Sequence, residues 1–283
     1  MFIATLVAKD KLSRGDISSA MDVLGETGAD EFIPSWIERG KAADISFSCD
    51  PIAAREALER ELRDVDVIVQ PEAHRHRKLL VADMDSTMIT VECIDELADY
   101  AGLKAEVSAV TERAMRGEID FAGALRDRVA LLAGLSEATV AECLRERVKL
   151  MGGAKELVTA FRATGGEAIL VSGGFTHFTG PVAAEIGFDR AIANRLIVKN
   201  GILTGDVEQP IVDAATKRAV LLEALDGRNP SVSIAIGDGA NDIPMIEAAG
   251  LGIAYHAKPK TEAAADACVR FGNLNVVRYA LGL

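Results

Sequence analysis

The stretch Lys78-Leu79-Leu80-Val81-Ala82-Asp83-Met84-Asp85-Ser86-Thr87 decides the reading of this chain. A charged residue leads into an unbroken apolar run, and the run ends on two aspartates one residue apart. Such a run, bounded by polar residues, predicts a strand buried on both faces, as in a parallel sheet. Two carboxylates at the carboxyl end of a buried strand are costly unless something cationic or reactive needs them. That end is also where open α/β sheets bind ligands. The Asp-x-Asp-Ser-Thr run is therefore a candidate catalytic site.

Downstream of this strand, apolar runs at 168–171, 190–193, 232–236 and 251–254 alternate with helical patterns at 155–163, 214–225 and 243–248. The alternation predicts an α/β, Rossmann-like, doubly wound parallel sheet with right-handed crossovers, ending on strand 251–254. Residues 196–204, with Asn200-Gly201 in the middle, read as a hairpin. Between the first strand and Gly152-Gly153 lies a helical insertion at about residues 90–150. Its marks are Ile94, Leu97, Ala98 and Ala101 at helical spacing, then helices at 121–132 and 137–150, the latter capped by Ser136.

Upstream, residues 1–73 read as a separate small α+β domain. Strand 2–8, helix 17–24, strands 31–39 and 43–48, helix 51–62 and strand 65–69 follow one another in the β-α-β-β-α-β order of a ferredoxin-like unit. Asp50 and Pro51 mark the second helix start. Residues 74–78, His-Arg-His-Arg-Lys, read as a solvated basic linker. The expected organisation is thus a domain at 1–73, a linker at 74–78 and a second domain at 78–283 carrying the insertion as a helical cap.

Composition narrows the function. Of 283 residues, 49% are hydrophobic and 26% charged, which gives a globular protein with a real core. The formal net charge of −12 argues against nucleic-acid and anionic-membrane partners. A small anionic substrate stays open, because a local site can oppose the global charge. Cys49, Cys93, Cys143 and Cys268 are scattered, with neither zinc-site nor disulfide spacing. No apolar run reaches the ~20 residues of a membrane span. Residues 1–8 are apolar without a basic leader, so the expected compartment is the cytoplasm.

The strand ends carry the chemistry. Strand 78–82 ends at Asp83 and Asp85; strand 168–171 ends at Ser172-Gly173-Gly174. Strand 232–236 ends at Gly237-Asp238-Gly239-Ala240-Asn241-Asp242, and Lys217 opens the helix before it. Parallel strands bring these ends to one edge. Carboxylates suit Mg²⁺, which keeps waters and bridges to phosphate. Gly-rich turns and helix N-termini offer N–H groups to phosphate oxygens. A carboxylate attacking a phosphate dianion needs cations beside it, and Lys217 and Mg²⁺ would provide them. Asp83, directly at the strand end, is the candidate nucleophile. Asp85, two residues on, is the candidate general acid and then base.

With Ala193-Asn194-Arg195-Leu196, Leu203-Thr204-Gly205 and Ala257-Lys258-Pro259, these motifs resemble those of the haloacid-dehalogenase-like phosphatases over about residues 78–281. The resemblance is closest to members that hydrolyse O-phospho-L-serine, the last step of L-serine biosynthesis. It implies an aspartyl-phosphate on Asp83 and acid/base work by Asp85. It implies one Mg²⁺ per active site, held by Asp83, the backbone carbonyl of Asp85 and Asp238, with Asp242 supporting the metal shell. It places Ser172, Gly173, Lys217 and Asn241 at the phosphate. In the cap, Glu92 matches the family's ammonium-binding position and Arg128 its carboxylate-binding position, where a planar fork fits. Met115 and Phe121 match apolar lid contacts. By element order alone the N-terminal domain resembles ACT-like domains, which could pair edge strands in a homodimer. A different small phosphorylated amino acid or alcohol as substrate, or a receiver-like sensor phosphorylated on Asp83, are the alternative readings.

Overall fold

The computed structural model describes every residue except Gly117 and the side chain of Met115. The N-terminal sheet consists of β1 (Phe2–Ala8), β2 (Ile33–Glu38), β3 (Ala42–Phe47) and β4 (Val65–Pro71). Its order is β2-β3-β1-β4, antiparallel throughout. The helices Arg14–Glu26 and Pro51–Glu61 complete the unit. The first begins three residues before the apolar spacing indicates. Ser13 caps it reciprocally: its Oγ accepts from Asp16 N at 3.1 Å, and its own N–H donates to Asp16 Oδ2 at 2.7 Å.

The larger sheet has β5 (Leu79–Ala82), β6 (Glu167–Phe175), β7 (Arg190–Asn194), β10 (Ser233–Gly237), β11 (Gly252–Tyr255) and β12 (Ala267–Val269). Between β7 and β10 lies the hairpin of β8 (Leu196–Lys199) and β9 (Ile202–Val207). The order β12-β11-β10-β5-β6-β7 is parallel at every pair. Alternate residues explain the unbroken apolar runs. Leu80, Ala82, Leu170 and Ile236 pack into one core, while Leu79, Val81, Ile169 and Ala235 pack into another on the opposite face. The chain leaves β5 towards β6 on one side and returns to β10 on the other. The crevice between β5 and β10 is thus the switch point of the sheet.

Several elements differ from the expectation. Strand 251–254 is not the last, because β12 lies outside it; three residues are too few for a period to show. The helix Thr176–Ile186 contains Gly180-Pro181, a pair that reads as a turn in sequence. Among the described residues the cap has four helices, Cys93–Tyr100, Lys104–Met115, Phe121–Leu131 and Glu137–Arg147. The second of them buries little and so shows no apolar stripe.

The hairpin β8–β9 braces the cap. Gly134 N donates to Leu203 O at 2.9 Å, and Leu203 N donates to Leu135 O at 2.8 Å. Gly205, at φ +86°, lies where a Cβ would meet Ala133 and Ala130.

Within residues 74–78, His74, His76 and Lys78 are exposed as a solvated connector would be, whereas Arg75 and Arg77 are not. Arg77 is 2% exposed and donates to Ser231 O at 2.6 Å and Gln70 Oε1 at 3.0 Å. Arg75 pairs with Asp44 at 2.7 Å and donates to Tyr279 O at 2.9 Å. Buried Asp66 of β4 accepts from the backbone N–H groups of Arg270, Phe271 and Gly272. Charge runs read as solvated because a sequence does not reveal the carbonyls that will meet them.

Candidate active site

Asp83 leaves the sheet where β5 stops, and its N–H donates to Ile236 O at 2.9 Å. Its carboxylate is 5% exposed. The helix Ala214–Leu225 starts at Asp213, whose side chain accepts from Thr216 N at 2.8 Å. That start aims Lys217 inward, where it is fully buried. Lys217 Nζ donates to Asp83 Oδ1 and to Asp242 Oδ1, both at 2.6 Å. Asp242 is held in turn by Gly239 N, which donates to its Oδ2 at 3.0 Å. A Cβ on Gly237 would fall on the Asp242 carboxylate, so the Gly-Asp-Gly turn needs glycine for close approach. Asn241 folds its amide over Gly239 in the same turn.

Burial, reinforced by Asp242, pushes the Asp83 carboxyl well above its usual range, and Lys217 works the other way. Burial alone would lower Lys217, yet Asp83 and Asp242 hold it above the usual lysine range, so it stays an ammonium. Asp238, whose Oδ1 accepts from Thr87 Oγ1 at 3.4 Å, is pushed up to about 7 by burial, then by Asp242 and Glu92.

One carboxylate oxygen from each of Asp83, Asp238 and Asp242 lies within 4.8 Å of the others. The donors are all oxygen, which suits a hard divalent cation. Lys217 pairs with Asp83 and Asp242 but not with Asp238, so a cation there would relieve the repulsion that adds to burial in raising Asp83 and Asp238. The residues fit a metal ion.

Asp85 stands beside this cluster. Its Oδ1 accepts from Cys93 N at 3.0 Å, at the start of the helix Cys93–Tyr100. Its Oδ2 accepts from Ser172 Oγ at 3.4 Å. Burial, then Glu92, pushes the Asp85 carboxyl up to about 6. Gly174 leaves no room for a side chain, since a Cβ would come 2.9 Å from Asp85 Oδ2 and 3.1 Å from Ser172 Oγ.

The cap contributes from two places. Ser86, at φ +54°, donates from Oγ to Glu92 Oε1 at 2.8 Å. Asp120 caps the helix Phe121–Leu131, and the Phe121 ring reaches over Gly173, where an added Cβ would come 3.3 Å from Cζ. Arg128 sits two turns further along that helix, half-buried. Its Nε donates to Ala124 O at 3.2 Å. Burial lowers its guanidinium while Asp95 and Glu92 work the other way. The Met115 side chain lies outside the described residues.

Thr87, the Cys93 N–H and Asn194 form part of the constellation without an expected role. Thr87 stood in the deciding stretch, next to the aspartates. A main-chain donor such as Cys93 N leaves no mark in a sequence.

Lys217→Ala should destabilise the metal-free protein by about 3–5 kcal/mol, because it leaves buried carboxylates unpaired. Urea unfolding in EDTA reads this directly. A loss below ~1 kcal/mol would mean that the carboxylates take up protons and need no lysine.

The comparisons with known proteins agree with this geometry. The family model described as haloacid dehalogenase-like hydrolase matches residues 80–247, and a second of the same description matches 219–281. A phosphoserine phosphatase of Albidiferax ferrireducens is 50% identical over 205 residues, covering 70% of this chain and 86% of that one. A probable phosphoserine phosphatase of Vibrio cholerae, solved unliganded, superposes with a TM-score of 0.81 at 34% identity, covering 99% of this chain and 86% of that one. A HAD-family hydrolase of Salmonella enterica serovar Typhi reaches a TM-score of 0.87 at 26% identity, with 99% of both chains covered. Motifs, sheet order and relatives thus converge, and the chain belongs to the haloacid dehalogenase-like hydrolases.

Proposed function

We propose that this chain is a phosphoserine phosphatase, hydrolysing O-phospho-L-serine to L-serine and phosphate in the step that ends L-serine biosynthesis. The observation that carries the reading is the pair of buried carboxylates at one sheet edge with different partners. Asp83 is clamped by the ammonium of Lys217, while Asp85 is held by Cys93 N and Ser172 Oγ and raised to about 6. Burial raises both carboxyls, but the ammonium of Lys217 favours the anion a nucleophile needs at Asp83, while neutral donors leave Asp85 free to gain and lose a proton.

In the proposed cycle Asp83 attacks phosphorus, the bond from phosphorus to the serine oxygen breaks, and Asp85 gives that oxygen its proton. Asp85 then takes a proton from the water that attacks the aspartyl-phosphate, which frees phosphate and restores Asp83. Lys217 stays protonated throughout and offsets negative charge at Asp83 and the phosphate. Ser172, the Gly173 backbone and Asn241 bind the phosphate oxygens. Asp83, the Asp85 carbonyl and Asp238 would hold one Mg²⁺, supported by Asp242, and its charge would stabilise the phosphoryl oxygens. In the cap, Glu92 takes the substrate ammonium and Arg128 its carboxylate, with Met115 and Phe121 as apolar cover. The domain limits of 1–73 and 78–283, with a cap at about 90–150, form part of the same proposal.

Phosphate release from O-phospho-L-serine, O-phospho-L-threonine and glycerol phosphate tests the function. Phosphoserine should be preferred in the wild type. Arg128→Ala should raise its KM about 10- to 100-fold, the worth of one charged hydrogen bond, and leave glycerol phosphate unchanged. A wild type that turns over glycerol phosphate as well as phosphoserine would sink the assignment.

The raised Asp238 predicts how Mg²⁺ binding depends on pH. Below about 7 the metal-free carboxyl holds a proton, so the cation must displace it. Apparent Mg²⁺ affinity should fall about tenfold for each pH unit below 7, and binding should release a proton there. Calorimetry at pH 6 and 8, in two buffers of different ionisation heat, counts that proton. No proton release at pH 6 would contradict the prediction.

We place the reaction in the cytoplasm, since Cys49, Cys93, Cys143 and Cys268 are all free thiols. We also propose a homodimer through the N-terminal sheet, because β2 is an open edge bearing exposed Ile33 and Ile37. Sedimentation at a monomer's mass would discard it. No helix among the described residues is long and apolar enough to cross a membrane.

A further inference from the structure

Asn194 lies at the end of β7, 2% exposed, with a side chain satisfied at both ends. Its Nδ2 donates to Gly173 O at 2.8 Å, and its Oδ1 accepts from Val212 N at 2.8 Å. A second, longer contact runs from Nδ2 to Val212 O at 3.4 Å. The two partners belong to different parts of the site. Gly173 is in the Ser172-Gly173-Gly174 turn, and Val212 directly precedes Asp213, which caps the helix of Lys217.

The carbonyl of Gly173 and the N–H of Gly174 are one planar peptide unit. Holding the first fixes the direction of the second. Gly174 N donates to Ser172 Oγ at 2.9 Å. The hydroxyl then has its own proton left to give, and it points at Asp85 Oδ2, 3.4 Å away. A chain therefore runs from the Asn194 amide through the 173–174 peptide and the Ser172 hydroxyl to Asp85. Hydrogen bonds in such a chain polarise one another. A carboxylate could accept from Val212 N but not donate to Gly173 O, and a shorter serine hydroxyl would have to do both from one atom.

We propose that Asn194 is the positioning residue of the phosphate turn: it sets the 173–174 peptide so that Ser172 presents its proton to the reacting groups, and it locks that turn to the start of the Lys217 helix. This rests on the reading of Ser172 as a phosphate ligand. Asn194 makes no hydrogen bond to Asp83, Asp85, Asp242 or Lys217; it acts on the reacting groups through Ser172.

The test compares Asn194→Asp and Asn194→Ser with the wild type, alone and combined with Ser172→Ala. Folding is checked by circular dichroism and by the rise in melting temperature on adding Mg²⁺. In the folded single variants kcat/KM for phosphoserine should fall about 10²-fold, the cost of an ångström-scale misplacement, and inhibition by inorganic phosphate should weaken in parallel. The Mg²⁺-induced stabilisation should stay as in the wild type. In the Ser172→Ala background the same Asn194 change should cost less than about fivefold, because the group it acts through is gone. Equal weakening of Mg²⁺ and phosphate binding would reveal a merely structural role and overturn the proposal. So would full additivity with Ser172→Ala, or kcat/KM within twofold of the wild type. If neither variant folds, amide exchange in the wild type decides. Protected Asn194 side-chain protons that remain unchanged in Ser172→Ala support the clamp; rapid exchange refutes it. A wild type inactive on phosphoserine would instead remove the functional reading beneath it.

Discussion

Asp83→Asn should remove phosphate release from phosphoserine by at least about 10⁴-fold, since the reaction would lose the atom that forms the covalent bond. Asn is nearly isosteric with Asp but has no anionic oxygen to offer. Fold loss is not the reason expected for the inactivity. Lys217 keeps Asp242 as a partner at 2.6 Å, and one carboxylate leaves a crowded cluster in which Asp242 raises Asp83. The melting temperature of the metal-free variant should therefore stay within a few degrees of the wild type. Divalent-cation binding should weaken as well, because Asp83 is one of the three carboxylates grouped at the candidate metal site. Saturating Mg²⁺ separates the two effects: if activity returns at high Mg²⁺, the role of Asp83 is to hold metal and not to attack. Residual activity above about one per cent at saturation would refute the nucleophile assignment.

The deciding stretch carried much of the fold because both faces of β5 are buried, so its apolar run had no interruption to confuse the period. The other central strands were legible for the same reason. β12 and the helix Thr176–Ile186 were not, the first because three residues carry no period and the second because Gly180-Pro181 signals a turn where packing enforces a helix. At the site, side chains with charge were easier to find than the groups that orient them. Asp83, Asp242 and Lys217 announced themselves by type and position, and the structure brings them within 2.6 Å contacts. Cys93 N, Gly174 N and the Val212 peptide are main-chain groups and have no letter of their own. Asn194 stood in the motif Ala193-Asn194-Arg195-Leu196, but the sequence does not show which main-chain groups it would hold. Arg75 and Arg77 of the basic run misled for the opposite reason: their charge was visible, but the carbonyls and Asp44 that receive it come from distant segments.

Asp85→Asn should separate the two half-reactions. With phosphoserine the leaving group is a poor one, a serine alkoxide, and loss of its proton donor should lower turnover about 10²- to 10⁴-fold. p-Nitrophenyl phosphate has a leaving group that departs without a proton, so the attack by Asp83 should survive the substitution. The second half still needs a base to activate water, and the variant has none. Mixing the variant with p-nitrophenyl phosphate should therefore release one equivalent of nitrophenol per site rapidly and then slow sharply, while the phosphorylated enzyme accumulates. The position of Asp85 favours this outcome over simple loss of binding. It is raised to about 6 by burial and Glu92, near the pH at which one group can both give and take a proton. Its two oxygens accept from Cys93 N and Ser172 Oγ; Asn Oδ1 can keep the first contact, and Nδ2 can donate to Ser172 Oγ in place of the second, with the hydroxyl proton turned elsewhere. The burst is the decisive readout. Steady turnover of p-nitrophenyl phosphate at the wild-type rate would show that Asp85 does not serve hydrolysis of the aspartyl-phosphate. No burst and no turnover would show that it is needed before the covalent step, and would return the role of general base to another group.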